Sequence, residues 1–85
     1  MIYKFPAIFE QDKEEKKYIN VTFPDLLGVV TFGEGMENAI EMAKDVLISM
    51  LEYDYIRNSP ASSLEVTKNN FPDKEVLMVE VEYNG

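Results

Sequence analysis

The chain has 85 residues, 16 acidic against 8 basic side chains, and a net charge of −8. That length allows one small domain with a thin core, and the 46% apolar content is that of a folded globular chain. With no cysteine and no histidine, disulfides, thiolate metal sites and Ser-His or Cys-His catalysis are excluded, and the negative surface repels nucleic-acid phosphates while attracting basic proteins.

Met1 to Pro6 lacks the charged and apolar regions of a secretory signal, and no apolar run approaches the roughly 20 residues of a membrane span. A cytoplasmic protein with no membrane association is the expectation. Residues 2–10 read as a strand, with Tyr3, Phe5, Ala7 and Phe9 on one face and Ile2, Lys4, Pro6, Ile8 and Glu10 on the other. Pro6 cannot donate to a ladder and predicts an edge position or a bulge. Residues 11–17 are nearly all charged and form a solvated hairpin loop. Tyr18 to Phe23 alternates again, with Ile19, Val21 and Phe23 on the core side.

Phe23-Pro24-Asp25-Leu26-Leu27-Gly28 is the punctuation between two strands. Pro24 ends the strand, Asp25 can bond its own downstream backbone, and Gly28 can take a positive φ. A surface turn does not need two adjacent leucines. Leu26 and Leu27 either fold back as a lid on the core, which is the commoner use, or are offered to a partner. Val29 to Phe32 is a third short strand, completing an antiparallel meander.

Gly35 is the expected, weak N-cap of the one long helix, with Glu34 and Glu37 near its positive end. From Met36 to about Tyr53, Met36, Ala39, Ile40, Ala43, Val46, Leu47, Met50 and Leu51 recur at three- and four-residue spacings. Glu37, Glu41, Lys44, Asp45 and Glu52 occupy the other side. Ile48 falls among these polar residues, either as a harmless exposed side chain or as part of a contact surface. Residues 58–63 are a loop, and Ser62 or Ser63 could cap one or two helical turns reaching Lys68. A turn at 69–74 precedes the strongest strand, Glu75 to Tyr83, with Leu77, Val79, Val81 and Tyr83 facing one way. The fold class is α+β, in the order β-β-β-α-β: a three-stranded antiparallel meander plus a returning C-terminal strand, with one main helix on a face.

These pieces, in this order, resemble the HicB antitoxin family. The resemblance rests on Phe5-Pro6-Ala7-Ile8-Phe9, Tyr18 through Gly28, Val30-Thr31-Phe32-Gly33, Glu37 through Ala43, Ser59 through Leu64 and Val76 through Val81. It spans nearly the whole chain. Three departures stand out: Leu27 where proline is usual, no glycine in the loop before Tyr18, and Gly35 where Ser or Thr is common. The resemblance implies a partial RNase H-like fold that binds and neutralises HicA, a small basic mRNA-cleaving toxin, and that assembles as a homodimer or higher homo-oligomer. Most such proteins add a C-terminal DNA-binding domain. Nothing here follows Gly85, so either such a domain has been trimmed away or this is a short HicB-like protein without operator binding; residues 1–85 are expected to be a single toxin-neutralising domain without direct nucleic-acid binding.

Catalysis of the RNase H type needs carboxylates converging on magnesium at strand ends. Asp12, Asp25, Glu34 and Asp73 fall in loops, and Glu80 with Glu82 is better explained as a solvated sheet face. The chain is therefore read as a non-enzyme with no metal and no cofactor. Two other readings remain: a homo-oligomeric scaffold without a toxin, using a sheet edge or the Ile48 face, and a degenerate metal-dependent nuclease. The residues expected to meet a partner are Asp25, Leu26, Leu27 and Gly28 of the turn, and Glu37, Glu41 and Ile48 of the helix.

Overall fold

The computed structural model describes residues 1–53 and 56–84. Four strands, β1 (Ile2–Gln11), β2 (Tyr18–Thr22), β3 (Val30–Glu34) and β4 (Glu75–Glu82), form one sheet in the order β3-β2-β1-β4. Every pairing is antiparallel. Helix α1 (Gly35–Glu52) follows β3, and a short α2 (Leu64–Asn70) precedes β4. The β-β-β-α-β order and the α+β class are those expected from the sequence.

The α1 stripe behaves as its spacing predicts. Ala39, Ala43, Leu47 and Leu51 are fully buried against Phe5, Ala7, Phe9, Val21, Phe23, Val79 and Val81. The two alanines let the helix sit close to the sheet, while a fully buried leucine such as Leu47 or Leu51 contributes about 1.5–3 kcal/mol by leaving water. Gly33 marks the closest approach: a Cβ there would lie 2.4 Å from the Ala39 backbone nitrogen. Ile48 is half-buried and packs on this core. The apolar arc of α1 is therefore wider than the stripe read from the sequence.

The other sheet face is covered only in part. Pro6, Ile8 and Val76 point away from α1, as the partners of Met78, Val76 and Ile8 in the β1–β4 register, yet all three are buried. α2 packs against β4, with Thr67 buried and Leu64 and Phe71 half-buried outside the α1-side core. It closes this end of the back face. Tyr18, Asn20, Thr22, Val30 and Phe32, at the β2–β3 end, stay uncovered or half-covered.

The edge position expected at Pro6 holds locally: β1 is central in the strand order, but at Pro6 it pairs on the β4 side alone. The Met1 and Tyr83 main chains exchange hydrogen bonds (2.9 and 3.3 Å), so odd residues of β1 aim at β4 and even residues aim away. The missing N–H of Pro6 thus faces the β2 side, where pairing begins only at Ile8. The N-cap of α1 is Glu34, not Gly35; Gly35 is the first helical residue, with φ +81°. β3 runs to Glu34, past the expected end at Phe32, because Gly33 and Glu34 still pair with Ile19 and Tyr18. Of the two candidate caps of α2, Ser63 does the work, its hydroxyl accepting from Val66 N–H at 3.1 Å.

Candidate partner-binding surfaces

The turn after β2 is built from two successive backbone bonds, Leu26 N–H to Phe23 C=O (3.0 Å) and Val29 N–H to Leu26 C=O (3.1 Å). Gly28 has φ +83° and open space around its Cα, so glycine is needed there for conformation, not for room. Asp25 does not bond its own turn. Its carboxylate accepts from the Ser62 N–H (2.7 Å) and the Ser62 hydroxyl (2.9 Å), which pins the turn to the loop before α2.

This pinning separates the two leucines. Leu26 is 4% exposed and belongs to the core, whereas Leu27 is 103% exposed. One acts as a lid and the other is presented to solvent. On α1, Glu37 and Glu41 are exposed beside Lys44, Asp45 and Glu52, with Ile48 half-buried between them. The seven residues expected to meet a partner do not form one patch. Gly35 N–H bonds to Lys17 C=O (2.9 Å), so α1 starts at the 11–17 hairpin end of β2. Glu37 and Glu41 lie near that end, and Asp25 to Gly28 lie at the opposite end of the same strand.

The hairpin carries a third feature. Asp12 accepts from the backbone N–H groups of Glu15 (2.9 Å) and Glu14 (3.1 Å) and from the Asn20 side chain (2.9 Å). The Glu15 N–H foremost, then Asn20 and Glu14, hold its carboxyl below the usual aspartate value. Among the described residues, no three acidic side chains gather as a metal site would require. Glu80 instead lies 3.7 Å from Lys4.

Val30 and Phe32 were not singled out by the sequence. They are 61% and 56% exposed on the outermost strand, and the Phe32 ring meets Tyr18 edge-on at 5.5 Å. The signal was the reversed pattern of β3, whose apolar residues alternate with Thr31 and Gly33. Only the pairing of Val21 with Thr31 shows that the less apolar face is the one beneath α1.

Of the comparisons with known proteins, one identifies a family and another shows similarity of fold. Residues 5–84 match the family described as HicB_like antitoxin of bacterial toxin-antitoxin system. The fold is similar to a solved toxin–antitoxin complex from Streptococcus pneumoniae, with TM-score 0.72 and 23% identity over 96% of this chain and 70% of that one. The N-terminal domain of the Burkholderia pseudomallei antitoxin HicB gives the same score and identity over 95% of this chain and 100% of that one. Against a second structure of that antitoxin, 94% of this chain covers 64% of the other, so the chain spans under two thirds of it. No functionally curated protein matches the sequence significantly. No helix among the described residues is long and apolar enough to cross a membrane. The chain belongs to the HicB-like antitoxin family of bacterial toxin–antitoxin systems.

Proposed function

We propose that this chain neutralises a small basic HicA-type RNA-cleaving toxin in the cytoplasm, by binding and not by chemistry of its own. The observation that carries the reading is Leu27. It is a fully exposed leucine on a turn fixed by the Asp25–Ser62 bonds, in a chain of net charge −8. An apolar anchor held rigid costs little entropy to bury, and the net negative charge of the chain draws in a cationic partner. Glu37 and Glu41 supply charge at the far end of β2, with Ile48 between the charged residues of α1. The charge that favours a basic toxin disfavours direct contact with nucleic acid.

The test is binding of the small basic protein encoded beside this chain, measured by calorimetry. Leu27→Ser should weaken binding at least tenfold while circular dichroism stays unchanged. Unaltered affinity for that variant would remove the turn from the interface. Absence of any complex with the unmodified chain would overturn the reading itself.

A further inference from the structure

We infer that Asp12, Glu15, Tyr18 and Phe32 form a receptor for one arginine side chain of a basic protein partner, at the hairpin end of the uncovered sheet face. The site follows from the β2–β3 register. Tyr18 pairs with Glu34 and Asn20 with Phe32, so these four side chains share the face turned away from α1. Tyr18 and Phe32 stand diagonally across the two strands, and their rings meet at 85° with centroids 5.5 Å apart. The bond from the Asn20 side chain (2.9 Å) brings the Asp12 carboxylate to the same face. Asp12, Glu15, Tyr18, Asn20 and Phe32 then line one open cavity of about 250 Å³.

That size is below the roughly 300–1,000 Å³ of pockets for drug-sized ligands and suits a single side chain. Two ring walls at right angles beside two carboxylates select a cation. Lys17 already shows the preference: its Nζ lies 5.2 Å from the centre of the Tyr18 ring. Lys17 does not line the cavity, so the space between Phe32 and the carboxylates stays open. A guanidinium fills it better than an ammonium, because its plane stacks on a ring while its N–H fork meets a carboxylate. A metal ion does not fit, since among the described residues no three acidic side chains gather to hold one.

The charges are arranged in advance. The N–H groups of Glu14, Glu15 and Asn20 fix the Asp12 carboxylate and keep it ionised, so little order is lost when a cation arrives. Among the described residues, the carboxylates of Glu15 and Glu34 make no hydrogen bond or ion pair. The single Lys17 does not neutralise Asp12, Glu15 and Glu34 together. An anionic guest is therefore repelled, and a neutral one gains nothing from the carboxylates. The inference rests on the proposed binding of a basic toxin, and it gives that partner a contact at the opposite end of β2 from Leu27.

The test has two arms. In the first, N-acetyl-arginine amide is titrated into the chain alone while the Tyr18 and Phe32 ring protons are followed by NMR. Saturable shifts are expected, absent with the neutral citrulline analogue and absent in Phe32→Thr. The second arm is calorimetry with the small basic protein encoded beside this chain. Phe32→Thr and Glu15→Gln should each weaken binding at least about fivefold, whereas Phe32→Tyr, which keeps a ring, should bind as the parent does. Both positions are exposed and outside the core, and Glu15 holds Asp12 through its backbone, so circular dichroism should not change. The inference fails if the arginine amide moves neither ring, if citrulline moves them equally, or if the partner binds Phe32→Thr as tightly as the parent. If the partner binds no form of the chain, the toxin reading falls and the assignment of the arginine to that partner falls with it. The first arm then still decides whether the cavity takes a guanidinium.

Discussion

Asp25 and Ser62 lie 37 residues apart and are joined twice, through the serine's backbone N–H and its hydroxyl. The bond ties the turn between β2 and β3 to the segment that carries the chain onto the back of the sheet. Both partners are only half-buried. Asp25→Ala should cost about 1–3 kcal/mol, because it strands a donor pair away from bulk water. Ser62→Ala, which keeps the backbone donor, should cost less. Urea denaturation of the two variants checks the order.

The two leucines of that turn should behave oppositely. Leu26→Ala removes a core side chain and should destabilise by about 2–5 kcal/mol. Leu27→Ser should stay within about 0.5 kcal/mol of the parent, since it touches nothing the fold uses. Equal losses in thermal melts would contradict the assignment of one leucine to the core and the other to a partner.

Gly33→Ala tests the closest contact between α1 and the sheet. The added methyl meets main-chain atoms of Ala39 and Asn38, which have no rotamer to relieve it. The helix start must shift, at a cost of about 1–3 kcal/mol or more. The same change at Gly28 finds open space but a positive φ, so its penalty is conformational and of order 1 kcal/mol.

Asp12 sets the acid-side behaviour of the hairpin. Its folded carboxyl is held below the usual aspartate value by the Glu15 N–H, then Asn20 and the Glu14 N–H. A depressed carboxylate stabilises the fold above its unfolded value, and that contribution is lost as pH falls through the folded value. Asp12→Asn should therefore flatten the loss of stability between neutral pH and pH ~3. Urea titrations at both pH values read the difference.

Much of this architecture was legible in the sequence because its signals are periodic. The α1 stripe and the alternation of β4 set their own faces, and each face found the core. Pro6 marked an edge at its own position and not for the whole strand, because a proline excludes only the side on which its N–H would point, and β1 pairs on one side alone there. Leu26 and Leu27 could not be separated beforehand, since the bond that orients their turn comes from Ser62. The exposure of Val30 and Phe32 depends on β3 lying outermost and on α2 stopping short of it. Both are properties of the assembled sheet, which no local pattern encodes.

The most direct test of the antitoxin account is co-expression of this chain with its neighbouring small basic protein, followed by an RNA-cleavage assay on the purified mixture. The account predicts one stable complex in which cleavage is silenced, with activity returning when Leu27→Ser replaces the parent chain. A nuclease that stays fully active beside an excess of the folded parent chain would contradict it.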